Sequence, residues 1–152
     1  MALPRRLTQW EEEARPYLVS EGYEVRSIKT WRYNCIAFTA DDVSAWWWPD
    51  DAKDSDAYWP IDRREEKLDC FMEAYQSLGY AACEEEGKEE GFEKIAIYAL
   101  NGIPSHAAKQ LPDGRWKSKL GPDEDIHHNS VKALEDDFNY GKVVQYMKRP
   151  VK

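Results

Sequence analysis

Tyr33-Asn34-Cys35-Ile36-Ala37-Phe38-Thr39-Ala40 is the stretch that decides how the rest of this chain is read. Asn34 is a good helix N-cap, because its short side chain accepts from backbone N–H groups that have no partner inside the helix, and the apolar run behind it would bury that helix. Cys35 then falls in the first turn, where unpaired N–H groups and the positive end of the helix dipole lower a thiol pKa. If a histidine meets that sulfur in space, the chemistry is that of a thiol hydrolase.

Working outward, the approach to this helix is short. Thr8-Gln9-Trp10-Glu11 has capping-box spacing and opens a helix that Pro16 limits, Glu21-Gly22-Tyr23 reads as a turn, and residues 23–31 as an irregular or extended approach. Beyond the helix, Trp46-Trp47-Trp48-Pro49 and Tyr58-Trp59-Pro60 bracket the acidic segment 50–56, a stretch pinned at both ends and solvated in the middle. Those tryptophans either fill the core or wall a substrate cleft. Asp62-Arg63-Arg64-Glu65 reads as cap and first turn of an amphipathic helix carrying Leu68, Phe71, Met72, Tyr75 and Leu78 on one stripe, with Gly79 as its stop.

The second half reads as an antiparallel meander. Residues 94–99 and 105–111 form strands joined at Asn101-Gly102, Pro112-Asp113-Gly114 turns into a third strand at Arg115-Trp116-Lys117-Ser118, and residues 142–147 form the last. Residues 84–91 and 121–129 read as loops, and Val131, Leu134 and Phe138 as a short helix. If the Pro112 turn pairs Leu111 with Arg115, Ser118 falls opposite Ala108 and shares the face of His106.

Composition narrows the function. A chain of 152 residues fits one domain, 42% hydrophobic and 13% aromatic content supplies a core, and the 33% of charged residues accounts for the low mean hydropathy without disorder. A formal charge of −8 with no basic stripe argues against nucleic acid, and no run approaches the length of a membrane span. Met1-Ala2-Leu3-Pro4-Arg5-Arg6 lacks an apolar segment of signal-peptide type, so the expectation is a soluble, cytoplasmic chain. The three cysteines, Cys35, Cys70 and Cys83, form no close pair, which fits reduced thiols, with Cys70 and Cys83 inert.

A cysteine nucleophile needs a base within hydrogen-bond reach and a third group to orient it. Of the three histidines, His106 sits on the second strand, and His127 and His128 follow the hairpin. The order Asn34-Cys35 on a helix, strand Lys94-Ile95-Ala96-Ile97-Tyr98, then His106-Ala107-Ala108 resembles the papain-like superfamily of NlpC/P60 and CHAP amidases and peptidases. Trp46 to Trp48, Tyr58-Trp59-Pro60, Trp116-Lys117-Ser118-Lys119-Leu120-Gly121 and Asp125-Ile126-His127-His128 resemble an uncharacterised bacterial domain family related to that fold. The resemblance covers roughly residues 33–150, with residues 1–32 as an N-terminal helix and approach segment.

That resemblance implies an α+β, papain-like (NlpC/P60-type) fold with the Cys-bearing helix packed on an antiparallel sheet of about four to five strands. It implies attack by the Cys35 thiolate on a peptide or other amide carbonyl, His106 as base and then acid, an acyl-enzyme, and an oxyanion held by backbone N–H. The third group is His128 by preference, since an imidazole or carboxylate orients a base better than a hydroxyl, with Ser118, Asp125 and Asn129 as alternatives. Asn34, Trp47, Trp116 and Ser118 would line the substrate site. No cofactor is implied; a zinc set of Cys35, His106 and His128 is chemically allowed but has no specific spacing. The competing expectation is an inactive module on the same scaffold that takes a protein or glycan partner on its Trp-rich, acidic surface.

Overall fold

The computed structural model describes residues 3–51 and 56–151. At its centre are β3 (Phe92–Leu100) and β4 (Ile103–Gln110), antiparallel neighbours whose middle residues are buried on both faces. They belong to a seven-stranded antiparallel sheet of order β1-β6-β5-β4-β3-β7-β2. The other strands are β1 (Tyr23–Val25), β2 (Ala81–Cys83), β5 (Trp116–Lys119), β6 (Asp125–His128) and β7 (Lys142–Pro150). The helices are few and short: α1 (Gln9–Glu13), α2 (Pro16–Glu21), α3 (Cys35–Thr39), α4 (Leu68–Gln76) and a 3₁₀ turn at Val131–Leu134.

This corrects the expected papain-like helix-on-sheet fold with four to five strands. The four long or turn-flanked strands lie where the sequence pattern places them. The sheet gains three more, β1, β2 and β6, of three or four residues each. Strands that short carry too little alternation to separate them from loop, and each takes its backbone partners from a longer neighbour. In particular β6, read as loop, bonds β5 on one side and β1 on the other, which places His127 and His128 in the sheet. Pro16 does end α1, and it also begins α2, since the first helical position needs no N–H. The expected cap at residues 62–65 is displaced too: α4 starts at Leu68 behind Lys67, while Arg63 pairs with Glu65, Asp69 and Glu73. Part of the acidic segment, residues 52–55, lies outside the described residues.

The pleat sorts side chains into two cores. Ile95, Ile97, Ala107 and Met147 face α3, α4, Trp47 and Trp59; Ala96, Tyr98, Ala108, Trp116 and Ile126 face Leu7, α2 and the 3₁₀ turn. The register between β3 and β4 shifts after Tyr98, so that Tyr98 pairs with His106, Ala99 with Pro104, and Ser105 is left as a bulge. The loop entering β7 is equally constrained. One Asp136 carboxylate oxygen accepts from the backbone N–H groups of Phe138, Asn139, Tyr140 and Gly141 at 2.8–3.1 Å, and Gly141 has φ +74°. A Cβ on Gly141 would stand 1.9 Å from the Ala99 carbonyl oxygen. Backbone cannot yield as a flexible side chain would, so only glycine fits.

Gly141→Ala is therefore expected to cost about 3–5 kcal/mol of stability, read as a lowered midpoint in urea denaturation. An unchanged midpoint would show that the β3–β7 edge relaxes without cost.

Candidate functional site

Asn34 does more than cap α3. Its Oδ1 accepts from the Ala37 N–H at 3.2 Å and the Trp47 N–H at 3.1 Å, while its Nδ2 donates to the Trp47 carbonyl at 2.8 Å. The flanking backbone bonds the other way, Tyr58 N–H to the Trp46 carbonyl and Trp48 N–H to the Tyr58 carbonyl. Trp47 is thus clamped toward α3 in an extended segment, and its indole N–H donates to Asp42 at 2.8 Å. Alternation along that segment turns Trp47 into the core and leaves Trp46 and Trp48 half-buried. Trp31, largely exposed, stacks on Trp46 with ring centroids 5.9 Å apart.

Trp46 and Trp48 wall a cleft of about 360 Å³ that Asn34, Cys35, Asp50, Ser105, Gly121 and Tyr140 complete. The Ser105 bulge forms part of this rim, and its hydroxyl donates to the Tyr140 carbonyl. Cys35 is in the first turn of α3, as expected, but its thiol is not activated. Burial pushes it up to about 11, and the backbone N–H groups of Ala107, Ile36 and Cys35 together with the charge of Lys119 only partly offset this. Desolvation of this buried sulfur outweighs the field of a helix that is only five residues long.

Three residues singled out from the sequence do meet, on the other face of the sheet. His106 Nε2 lies 3.1 Å from Ser118 Oγ, which lies 2.8 Å from His128 Nε2, and His128 Nδ1 lies 2.8 Å from the Ser130 carbonyl. The expected register is present, with Lys109 paired to Lys117 and Gln110 to Trp116. A carbonyl only accepts, so His128 carries its proton on Nδ1; the Ser118 hydroxyl then donates to His128 Nε2, and His106 Nε2–H donates to Ser118. His106 Nδ1 is left as a buried acceptor without a partner. Both rings are held neutral: burial lowers His128 to about 4 and His106 well below its ordinary value. The His106 ring stacks on Tyr140 with centroids 4.1 Å apart and meets Tyr98 edge to face.

Cys35 is not part of this chain. It packs with Ala107 in one core, whereas His106, one residue earlier, contacts Tyr98 and Tyr140 of the other, and among the described residues no hydrogen bond joins Cys35 to any histidine. The zinc set is separated by the same strand. Of the expected substrate-binding residues, Asn34 reaches the cleft with its amide already bonded, Trp47 is core, and Trp116 is buried beside Tyr146 with Ser118 on the far face. Asp125, an alternative third residue, accepts from the Tyr33 hydroxyl at 2.7 Å, and Asn129 donates to the Glu21 carbonyl. Trp46 and Trp48 belong to the run that the sequence offers as core or cleft wall, though Trp47 is the one that sequence reasoning singles out from it, and Tyr140 is the wall that it missed. The period of two in an extended Trp-Trp-Trp run carries the signal for the first two, and nothing in the sequence marks Tyr140.

A family model described as a domain of unknown function, DUF7689, matches residues 24–148, and the chain belongs to that family. The match runs from β1 into β7 and so spans the sheet, the cleft and the histidine chain. No curated protein and no solved structure matches the chain. No helix among the described residues is long and apolar enough to cross a membrane.

The histidine chain makes stability depend on pH with a definite sign. His128 titrates at about 4 when folded and near 6.5 when unfolded, so the unfolded chain binds more protons between those values. Its contribution is complete above pH 6.5 and is lost as pH falls to 4, a loss of about 3 kcal/mol. Denaturation midpoints followed across this range should fall less steeply in His128→Gln than in the wild type. Parallel profiles would mean that His128 titrates in the fold as it does in the unfolded chain.

Proposed function

We propose that this member of the family is a binding module that seats a sugar ring of a glycan partner in the Trp46–Trp48 cleft. The observation that carries the reading is the pair of half-buried indoles facing one cavity, with Trp31 stacked on Trp46 at its exposed side. Flat aromatic faces cover the apolar C–H face of a pyranose without needing its hydroxyls. The Asp50 carboxylate in the same wall provides an acceptor for those hydroxyls. The clamp on Trp47 holds both walls before any ligand arrives, which reduces the ordering cost of binding. Titration of the intrinsic tryptophan fluorescence with a panel of soluble oligosaccharides should give saturable quenching with at least one. Trp46→Ala and Trp48→Ala should each weaken it about tenfold or more, roughly 1.4 kcal/mol. A panel without saturable quenching counts against the module.

A second reading, amide or peptide hydrolysis by Cys35, is favoured by one observation: the cysteine occupies the first turn of α3 on the wall of the same cleft. The two readings separate by thiol reactivity. A binding module with Cys35 raised to about 11 should react with iodoacetamide at pH 7.5 first at the partly exposed Cys83. Faster labelling of Cys35 than of Cys83 would favour the hydrolase.

A further inference from the structure

Away from the cleft, α1 and the turn between β5 and β6 bring three carboxylates together. Glu11, Asp123 and Glu124 each present an oxygen within 4.8 Å of the others. Glu11 and Glu124 are almost wholly buried, at 1% and 3% exposure, and this sets the group apart from an ordinary acidic surface. Glu11 Oε1 is committed: it accepts from the Thr8 N–H at 3.1 Å and the Thr8 hydroxyl at 2.8 Å. Glu11 Oε2 and Glu124 Oε1 are buried with no N–H or hydroxyl to accept from, and burial, together with the Glu11 carboxyl group lying against it, raises Glu124 above its ordinary value. A carboxylate oxygen sealed from water with nothing to accept from is costly, and here two share one site.

We propose that Glu11, Asp123 and Glu124 bind a divalent cation of the hard, oxygen-loving class, with Ca²⁺ the best fit. Two oxygens on one Ca²⁺ ion stand at most about 4.8 Å apart, given Ca–O bonds of about 2.4 Å. Three carboxylates gather negative charge that Lys29, with its Nζ 3.6 Å from Glu11 and 3.9 Å from Asp123, offsets in the ion-free site, and an entering divalent ion would take over that role with twice the charge. Lys29 is half-exposed and free to swing out when the ion enters. The turn that carries the ligands is already set. Asp123 N–H donates to the Leu120 carbonyl at 2.9 Å, Leu120 N–H to the Glu124 carbonyl at 3.0 Å, and the Lys119 ammonium to the carbonyls of Gly121 and Asp123. Gly121 also lines the aromatic cleft, so the ion would brace one wall of it from behind.

The test uses the full chain after dialysis against EDTA, at pH 7.5 and constant ionic strength. Calorimetric titration with CaCl₂ should give one site per chain, and saturating Ca²⁺ should raise the melting temperature. Asp123→Asn, at a partly exposed position that tolerates the change, should weaken binding about tenfold or more through loss of one charged ligand. Glu124→Gln should abolish it. Lys29→Ala should tighten it by removing the competing ammonium. Absence of a heat and of a melting shift up to millimolar Ca²⁺ overturns the proposal, and so does a shift of equal size in Asp123→Asn and Glu124→Gln. One proton shared between Glu11 and Glu124 is the rival state, and it predicts that null result. Neither outcome touches the glycan reading, whose variants lie at Trp46 and Trp48.

Discussion

The alternation of side chains along β4 is the constraint on which the remaining arrangement depends. Ala107 and His106 are neighbours in sequence and the pleat sends them to opposite faces, the first under α3 with Cys35 and the second against Tyr98 and Tyr140. A backbone strand therefore stands between the chain's helix-borne thiol and its buried histidines. Both groups are desolvated, and each responds as burial dictates: the thiol is pushed up and the imidazoles are pushed down, so that all three are uncharged at neutral pH. Neutrality suits a polar strut in a core. Ser118 completes it by accepting from one ring and donating to the other, which a residue with only donors or only acceptors could not do.

The same rule explains the aromatic run. Three consecutive tryptophans on an extended segment cannot all serve one purpose; the middle one goes inside and its neighbours go out. Asn34 decides which is the middle one, because it bonds both the N–H and the carbonyl of Trp47. Helix capping and cleft construction are thus a single event in this chain, and the residue that starts α3 also aims Trp46 and Trp48.

What could be read beforehand follows from how far each signal reaches. The Asn34 cap, the Thr8–Glu11 capping box and the hairpin register that puts Ser118 beside His106 depend on residues close in sequence, and all three are present. The strands β1, β2 and β6 were not legible, since three or four residues give alternation no room to declare itself and their stability comes from partners far along the chain. The misplaced base has a different origin. The face that β4 offers to α3 is set by which side of the sheet the helix crosses, and no residue near Cys35 or His106 encodes that choice. Tyr140 was invisible for a related reason, because a loop folded around the Asp136 carboxylate brings it back to the sheet.

The clamp at Trp47 addresses backbone rather than side chain, and this has a consequence for how the domain can vary. Asn34 sets the phase of the tryptophan run by holding the two peptide units that flank Trp47 at a fixed distance from the helix start, and within residues 41–45 Asp42 adds a bond to the Trp47 indole. A change of length confined to residues 43–45, which spares the Asp42 bond to the Trp47 indole, leaves that phase reference intact. A relative of this chain can therefore change the length of its loop and keep its cleft.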